Sequence, residues 1–309
     1  MTTNTTPELP PAASDQKYVE VSPIPGGFIT LDENFFVKPY TEGARRTVPS
    51  LTFLVKHPGS NKYGADESKP FHLMFDLGLR RAKERYAEVL QKHLENRAPY
   101  DLVPGVAAQL KDGGLDPSAI NLVMLSHVHY DHHGDPEEFE KAHFTIGHGA
   151  MDVLKNGLGG YASHQHFDPN TLPDDRSSEL SDPTGSQWKP LGPFLATLDL
   201  FDDGSLYVID TPGHLPGHVN LLCRTKHKWI CLCGDAFHDR RLLTGEKEIG
   251  EWESPHGMIC IHLDKEAAAE SIRRLRELHE AVGDGVEIIA AHEDEWWEKN
   301  KHKKFPGTL

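Results

Sequence analysis

A cluster of histidines and one aspartate follows a short apolar segment near the middle of the chain. Residues 120–126 are mostly apolar and predict a strand, which runs directly into His127, His129, Asp131 and His132. Residues two apart on an extended backbone point the same way, so His127 and His129 can reach one metal ion. Asp131 and His132 lie where the chain can turn toward a second ion. Because imidazole and carboxylate both bind zinc, this spacing favours a metal site over a surface cluster of histidines.

Three more potential ligands stand at the ends of apolar, strand-like segments. Pro and Gly make rigid turns, so the Thr-Pro-Gly-His-Leu-Pro-Gly-His element fixes where its first histidine points. If these strands share sheets, their ends converge on one cleft and can complete a two-metal site. The three ligands are His214 after residues 205–210, Asp235 at the end of residues 228–235, and His292 after residues 286–291.

The order of the segments predicts an α/β fold in which two sheets are covered by helices. We expect a single domain at residues 18–309, after a polar, flexible tail at residues 1–17. Residues 157–193 are rich in Gly, Pro, Asp and Ser and predict a long inserted loop. The remaining strand-like segments are 27–31, 51–57, 71–76, 143–147 and 219–224, and the helical ones are 80–97, 137–142 and 264–282.

The composition disfavours several classes of protein. A formal charge of −15 argues against a nucleic-acid partner, which needs basic surface. No apolar run approaches the length that spans a bilayer, and the start of the chain lacks a secretory signal. Four cysteines without Cys-x-x-Cys spacing are typical of buried, reduced thiols and favour a cytoplasmic protein. Because there is no Gly-rich phosphate loop, we expect no cofactor beyond metal.

The order of these ligands resembles that of the metallo-β-lactamase superfamily. Asp76, in Phe-Asp-Leu-Gly, resembles the early Asp-x-Gly element of that family, and the resemblance covers roughly residues 70–295. It implies an αββα sandwich with two metal ions at one edge of the two sheets. It also implies how the ligands divide: His127, His129 and His214 for the first zinc ion, Asp131, His132 and His292 for the second, and Asp235 as the bridge.

Within the superfamily, the chain looks most like the quorum-quenching lactonases. The Thr-Pro-Gly-His-Leu-Pro-Gly-His and Gly-Asp-Ala elements carry this resemblance. Those enzymes often have a Tyr three residues after the bridging Asp, where this chain has His238. Related members open γ-lactams and cyclic carbamates, so the resemblance leaves both ester and amide rings open. A glyoxalase-like thioester hydrolase is disfavoured because the chain continues only a short way past His292.

The resulting hypothesis is a di-zinc metallohydrolase that opens a small cyclic ester or amide by attack of a metal-bound hydroxide on the ring carbonyl. Iron and manganese are alternative metals. We predict that Asp131 carries the proton, and that His238 either donates a hydrogen bond to the developing oxyanion or only packs behind the site. A mononuclear iron persulfide dioxygenase and a non-catalytic metal-binding module of the same fold are the alternatives. The complete second ligand set argues against both.

Other residues are assigned more general roles. Aromatic side chains of the 157–193 region, with residues 250–256 opposite, are candidate walls of a substrate pocket; the alternatives are a packed surface loop and a homodimer contact. His133 and His218 are expected beside the ligands, with His218 orienting them. The candidate aromatics are Tyr161, Phe167, Trp188 and Phe194. His164 and His166 are either substrate contacts or solvated, and His57, His72, His93, His279 and His302 are surface or core residues.

Overall fold

The computed structural model describes residues 8–159, 163–254 and 257–309. Its strands are β1 (Glu20–Asp32), β2 (Val37–Lys38), β3 (Arg45–His57), β4 (Phe71–Phe75), β5 (Leu122–Met124), β6 (His143–Ile146), β7 (Ser177–Glu179), β8 (Lys189–Leu191), β9 (Phe194–Asp199), β10 (Leu206–Asp210), β11 (Val219–Arg224), β12 (Trp229–Leu232), β13 (Glu248–Ile249), β14 (Trp252–Ser254), β15 (Gly257–Ile259) and β16 (Val286–Ile289). Its α-helices are α1 (Glu88–Glu95), α2 (Val106–Asp112), α3 (Ala150–Asn156), α4 (Arg240–Thr244), α5 (Lys265–Val282) and α6 (Asp294–Asn300).

Most of the strands form two six-stranded sheets. The first has the order β1-β3-β4-β5-β6-β7 and the second β16-β12-β11-β10-β9-β8. In the first sheet β4, β5, β6 and β7 are parallel to one another, and in the second β16 is parallel to β12. Parallel neighbours place their carboxyl ends at the same edge of a sheet, which is where the predicted ligands follow.

Both faces of each sheet are buried, as strand alternation shows. Leu73 and Phe75 of β4 face the core between the sheets, whereas Met74 faces the outer core beneath α2 and α3. In the second sheet Leu221 faces the central core, and Leu222 packs toward α5. The layers therefore follow the order helix, sheet, sheet, helix, and the predicted αββα sandwich is confirmed.

Helix α5 covers the outer face of the second sheet. Ile272, Leu275 and Leu278 recur at helical spacing and are all buried against it. Asp264 precedes the helix, and its carboxylate accepts a hydrogen bond from the Ala267 amide at 3.0 Å, which caps a free N–H group of the first turn. The predicted helix at 264–282 is thus present with its cap.

Backbone hydrogen bonds join the two sheets at the edge that carries the ligands. The Val219 amide donates to the Ser126 carbonyl at 2.9 Å, and the Leu51 amide donates to the Ala291 carbonyl at 2.9 Å. The first bond joins β11 of the second sheet to the loop that follows β5 of the first sheet. The second bond joins β3 of the first sheet to the segment that follows β16 of the second sheet. The segments that carry His127 and His292 are therefore fixed relative to each other.

The helix predicted at residues 80–97 is wrong in its first half. Helix α1 begins only at Glu88, after a single 3-10 turn at Lys83–Arg85. Asp135 draws the preceding segment away from helical geometry, because it accepts hydrogen bonds from the Arg81 amide at 2.9 Å and from the Arg85 guanidinium at 2.5 Å. These long-range contacts outweigh the helical spacing of the apolar residues.

The helix predicted at residues 137–142 is also wrong, since only a 3-10 turn forms at Pro136–Glu138. A further turn, from the Ala142 amide to the Phe139 carbonyl at 3.1 Å, leads the chain into β6. Phe139 and Ala142 are both buried beneath the first sheet. The segment between the 3-10 turn and β6 is therefore held against the sheet and is too short for an α-helix.

The described parts of the 157–193 region add an edge strand to each sheet. Strand β7 pairs with β6 in the first sheet, and β8 pairs with β9 in the second. Residues 8–17, part of the predicted tail, lie against the domain. The Arg224 guanidinium donates to the Pro10 carbonyl at 2.8 Å, and the Gln16 side-chain Nε2 donates to the Asp203 carbonyl at 2.9 Å. Residues 1–7 lie outside the described residues.

None of the helices in the described ranges has both the length and the apolar character needed to cross a membrane.

Candidate metal centre and its cavity

Three imidazole nitrogens converge at the shared edge of the sheets. His129 Nδ1 lies 2.9 Å from His127 Nε2 and 3.0 Å from His214 Nε2. Asp235 Oδ2 completes the group, 3.4 Å from His214 Nε2 and 3.7 Å from His127 Nε2. Four ligands around a tetrahedral zinc ion with bonds of about 2.0–2.1 Å are about 3.3–3.4 Å apart. The four observed distances run from 2.9 Å to 3.7 Å and so lie on both sides of this value.

A second group of ligands lies on the other side of the same aspartate. Asp235 Oδ1 is 3.2 Å from His132 Nε2 and 3.3 Å from His292 Nε2. Asp131 Oδ2 lies 3.6 Å from His292 Nε2, so Asp131, His132 and His292 form a set of their own. The two oxygens of Asp235 thus face different sets.

Unpaired buried atoms support a metal in both places. His132 Nε2 and Asp235 Oδ1 are buried and have no hydrogen-bond partner among the described residues. In the first set, the Ser126 hydroxyl donates to Asp76 Oδ2 at 2.8 Å, so it can accept from His127 Nδ1 at 3.0 Å. In that tautomer the Nε2 of His127 carries a lone pair and lies near other ring nitrogens. Converging lone pairs and a carboxylate oxygen repel one another unless a cation lies between them. The residues present therefore fit two divalent ions.

The charge states also suit cation binding. Burial lowers the pKa of His127, His129 and His214 well below the ordinary imidazole value, so these rings are neutral. Burial also opposes the charging of His132, but the Asp235 and Asp76 carboxylates outweigh it and raise its pKa. The second set therefore lies in a negative field that favours either a proton or a metal ion.

Outer residues hold the ligands in orientation. Asp76 Oδ2 contacts His132 Nδ1 at 2.9 Å, and its other oxygen accepts from the Ser126 amide at 2.6 Å. The Pro49 carbonyl contacts His292 Nδ1 at 2.7 Å. His218 Nε2 accepts a hydrogen bond from the Asp235 amide at 3.1 Å, which agrees with its predicted orienting role.

His238 lies beside the bridging carboxylate. Its Nε2 is 3.1 Å from Asp235 Oδ2, and its ring stacks between those of Phe36 and His292, with both centroids at 5.7 Å. Its Nδ1 is buried without a partner in the described part of the chain. The residue is in contact with the ligand cluster and also lines the adjoining cavity.

Sequence reasoning missed His262. It lies outside every motif, in the segment between β15 and α5, yet it is buried against the site. Its Nδ1 is 3.3 Å from His214 Nδ1, so it supports the back of a predicted ligand. No local pattern signals this contact, because packing of the loop before α5 brings the two rings together.

A cavity of about 380 Å³ opens onto the ligand cluster. Asp131, His214 and Asp235 line its floor. Phe35 and Trp252 form part of an apolar wall and pack edge-to-face at 4.8 Å. Isoleucine and leucine side chains extend this wall, and polar residues also line the cavity; one of them, Arg97, lies over the Phe35 ring. The apolar lining includes Ile29, Leu31, Ile259 and Ile261, and the polar lining includes His93, Asn96, Arg97 and His164.

The aromatic residues predicted for the pocket separate into different environments. Trp188 and Phe194 are core residues, so the prediction that they stack on substrate is wrong. The Trp188 indole N–H donates to the Ser181 carbonyl at 3.0 Å, which holds it away from the cavity. Phe167 stacks on His129 with its centroid at 5.9 Å, and Tyr161 lies outside the described residues. From the 250–256 segment Trp252 lines the cavity, whereas residues 255 and 256 are not described.

Several of the other histidines have identifiable environments. His164 lines the cavity, and so does His93, which is a buried residue as well. His57 is buried and pairs with Asp203 at 2.8 Å. His133 Nδ1 contacts the Gly134 carbonyl at 3.0 Å and lies outside both ligand sets.

Comparison with known families accounts for this combination of fold and ligands. The sequence profile of the metallo-beta-lactamase superfamily matches residues 68–292, and the chain belongs to that superfamily. The match spans the segments that carry every residue of the two ligand sets.

Among curated proteins, the chain is 32% identical over 354 residues to the metallo-hydrolase mfmC of Annulohypoxylon moriforme, covering 100% of this chain and 88% of that protein. It is 29% identical over 209 residues to gamma-lactamase FDB1 of Fusarium pseudograminearum (strain CS3096), covering 66% of this chain. It is 26% identical to the N-acyl homoserine lactonase AttM of Rhizobium radiobacter, covering 82% of this chain and 86% of that protein.

The chain spans only part of some of these relatives. It covers 49% of gamma-lactamase FDB1 and 34% of the cytochrome P450 monooxygenase mpaDE of Penicillium roqueforti (strain FM164). Among solved structures, a quorum-quenching N-acyl homoserine lactone lactonase superposes with a TM-score of 0.66 at 18% identity, covering 95% of this chain and 100% of that one. That likeness shows the shared fold.

Proposed function

We propose that this chain is a metal-dependent hydrolase that uses two zinc ions to open a small cyclic ester or cyclic amide. One observation carries the proposal: the two oxygens of Asp235 face two separate ligand sets, at 3.4 Å from His214 and 3.2 Å from His132. Relatives named as a gamma-lactamase and as an N-acyl homoserine lactonase support a γ-lactam or a lactone as the substrate, and the proposal includes cyclic carbamates as a third ring class.

The residues divide between the two ions as their positions suggest. His127, His129 and His214 would hold one ion, the second set would hold the other, and Asp235 would lie between them. When bound, such ions acidify water, so that a nucleophile exists at neutral pH, and polarise the carbonyl under attack. Zinc suits a buried site of imidazole and carboxylate donors, and iron and manganese are the alternatives.

Asp131 is the proposed proton carrier. Its carboxylate is buried, lies 3.6 Å from His292 Nε2 and lines the floor of the cavity. A proton released at the nucleophile can pass to this carboxylate and then to the oxygen or nitrogen that leaves the ring. This step restores the neutral leaving group without a separate acid.

His238 is the proposed donor to the substrate oxygen. Its Nε2 lies 3.1 Å from Asp235 Oδ2 and the residue lines the cavity, so a substrate oxygen above the cluster would share the proton on this nitrogen. Stacking on Phe36 and His292 fixes the ring plane. The residue thus acts on substrate while it also contacts the bridging carboxylate.

The cavity is suited to a small ring. Its volume of about 380 Å³ lies at the lower end of the range for small-molecule sites. The apolar wall that includes Phe35 and Trp252 excludes water from a bound ring, which strengthens the electrostatic interactions around the carbonyl.

The first test is metal content and substrate range on protein purified without a chelating tag. We expect about two zinc ions per chain, and hydrolysis of at least one member of a panel of γ-lactones, γ-lactams and cyclic carbamates, with a thioester included. His132→Ala should lose one ion and most activity, whereas His302→Ala, an exposed control, should keep both. A single iron with oxygen consumption on a persulfide would instead establish the dioxygenase alternative.

A further inference from the structure

One arginine of the cavity, Arg97, has no acidic partner. Its guanidinium lines the candidate cavity, and within residues 8–159, 163–254 and 257–309 no carboxylate oxygen lies within 4.0 Å of it. Asp32, the acidic residue of the same rim, is engaged by Arg45 at 2.8 Å instead.

The contacts of Arg97 orient it without neutralising it. Its Nε donates to His93 Nε2 at 3.2 Å, and its Cζ lies 5.1 Å from the centroid of the Phe35 ring. Burial raises the pKa of the Tyr130 hydroxyl, and the nearby charge of Arg97 opposes that rise. A guanidinium has five N–H donors, and these contacts leave several of them for a molecule in the cavity.

The ring beside Arg97 is uncharged. Burial, together with the adjacent guanidinium, lowers the pKa of His93 to about 3. Arg97 is therefore the fixed positive charge of this wall. The nearest aromatic surface is the pair of Phe35 and Trp252, whose rings meet edge-to-face.

A succession of side chains separates Arg97 from the metal ligands. The His129 ring lies 5.6 Å from that of His164, which lies 5.9 Å from that of His93, the acceptor of the Arg97 hydrogen bond. Two imidazole rings, those of His164 and His93, thus lie between the cluster and the guanidinium along this path. A molecule whose ring carbonyl is at the cluster can extend its far end to Arg97.

We infer that Arg97 binds an anionic group, a carboxylate, carried by the substrate at the end away from the ring that opens. The flat body of the substrate lies along Phe35 and Trp252, and the guanidinium binds the carboxylate through paired N–H donors. This inference rests on the proposed hydrolase function, because it assigns a substrate class to the same cavity.

The test compares two probes: phthalide, a benzo-fused γ-lactone, carrying a carboxylate on its benzo ring, and the matching carboxamide. Binding is measured by calorimetry and ring opening by product formation, for the metal-loaded protein. Wild type should prefer the carboxylate by about 10–100-fold, as expected for hydrogen bonds to a charged group. Arg97→Gln should remove the preference, and Arg97→Lys should keep only part of it.

Arg176 provides the matched control. Like Arg97 it lies over an aromatic ring, with its Cζ 5.5 Å from the centroid of Phe144, but it lies outside the cavity. Arg176→Gln should leave the preference unchanged. Thermal unfolding of each variant shows whether it folds, and the Arg97→Lys variant keeps the test decisive should Arg97→Gln not fold.

The outcomes separate this inference from the proposed function. Equal binding of the two probes by wild type overturns the inference. A preference for the carboxylate that persists in the Arg97 variants also overturns it, because the metal cluster would then be binding the carboxylate. Arg97-dependent binding without ring opening of either probe would support the inference and count against the proposed hydrolase.

Discussion

At the scale of single residues, the site depends on which atoms are left without partners. Asp235 and His132 each have a buried atom that finds no hydrogen bond among the described residues, which is costly unless a cation is present. His238 and His262 are buried beside these ligands, and each has one ring nitrogen without a hydrogen-bond partner among the described residues. The predictions at this scale concern these two histidines.

Replacing His238 tests its role at the substrate oxygen. His238→Phe keeps an aromatic ring but removes Nε2, so we expect kcat to fall by about 10²–10³, as for loss of one oxyanion donor. His238→Gln, which keeps an N–H group, should retain more activity. Steady-state kinetics and metal analysis distinguish the possibilities. Unchanged kcat/KM with both metals retained would show that the ring only packs behind the site.

Replacing His262 tests the support of a metal ligand. If His214 uses Nε2 for the metal, its Nδ1–H donates to His262 at 3.3 Å. His262→Leu removes that acceptor, and we expect zinc affinity to fall by about 10–100-fold. His262→Gln, which keeps an acceptor, is the matched control. Competition with a chromogenic chelator measures the affinity, and equal values for wild type and the Leu variant would contradict the support role.

At the scale of elements, strand ends decide where the chemistry lies. The first four candidate ligands follow strand β5, and the other candidates follow β10, β12 and β16 of the second sheet. Strand β10 ends at Asp210, a carboxylate that sits in a small cavity lined by Phe194 and Pro212. Burial, reinforced by the charge of Asp182, raises the pKa of Asp210 to about 6.

The Asp210 carboxylate should therefore destabilise the fold at neutral pH. Its pKa is about 6 in the folded chain and about 3.9 when unfolded. Ionising this carboxyl in the folded chain lowers the free energy of unfolding. That loss of stability is absent below about pH 4 and complete above about pH 6. Asp210→Asn should then raise the free energy of unfolding by about 1–3 kcal/mol at pH 7.5 and by little at pH 4.

Urea unfolding at the two pH values measures this difference. Asp202→Asn is the control, because the side chain of Asp202 is 76% exposed and its replacement should change the free energy of unfolding by less than about 0.5 kcal/mol. A gain for Asp210→Asn that is equal at both pH values would show that its cause is packing rather than ionisation.

At the scale of the whole molecule, the candidate metal centre joins the two sheets. Ligands from both sheets surround Asp235, and backbone bonds such as Val219 to Ser126 connect the same edges. Bound metal would therefore act as a crosslink within the folded state, and its binding free energy would add to stability.

Removing metal should lower the melting temperature. Saturation at about 100 times Kd contributes about 2.7 kcal/mol, and for chains of this order each kcal/mol shifts Tm by about 2–4 °C. We therefore expect a fall of at least about 5 °C after dialysis against a chelator, with recovery when zinc is added. Differential scanning calorimetry measures the change. A melting temperature that stays constant while metal analysis reports complete removal would contradict the crosslinking role.

The sequence by itself predicted two sheets covered by helices and the candidate ligands, and its resemblance to a known family predicted the αββα sandwich. This was possible because each ligand directly follows a strand, and the apolar pattern of a strand is a local signal. His127, Asp235 and His292 could thus be proposed as ligands without knowledge of the packing. The likeness of their order to a known family added the division into two sets, which the distances around Asp235 support.

Only the tertiary structure decided the surroundings of the ligands. Asp135 bonds to residues about fifty positions earlier in the chain, so a helix forms only in the second half of the predicted segment 80–97. Trp188 is buried in the core rather than in the cavity. His262 and Arg97 carry no motif, and they reach the site because loops and a helix end pack there. These features depend on contacts between residues distant in sequence, whose energies exceed local preferences and leave no periodic trace in the chain.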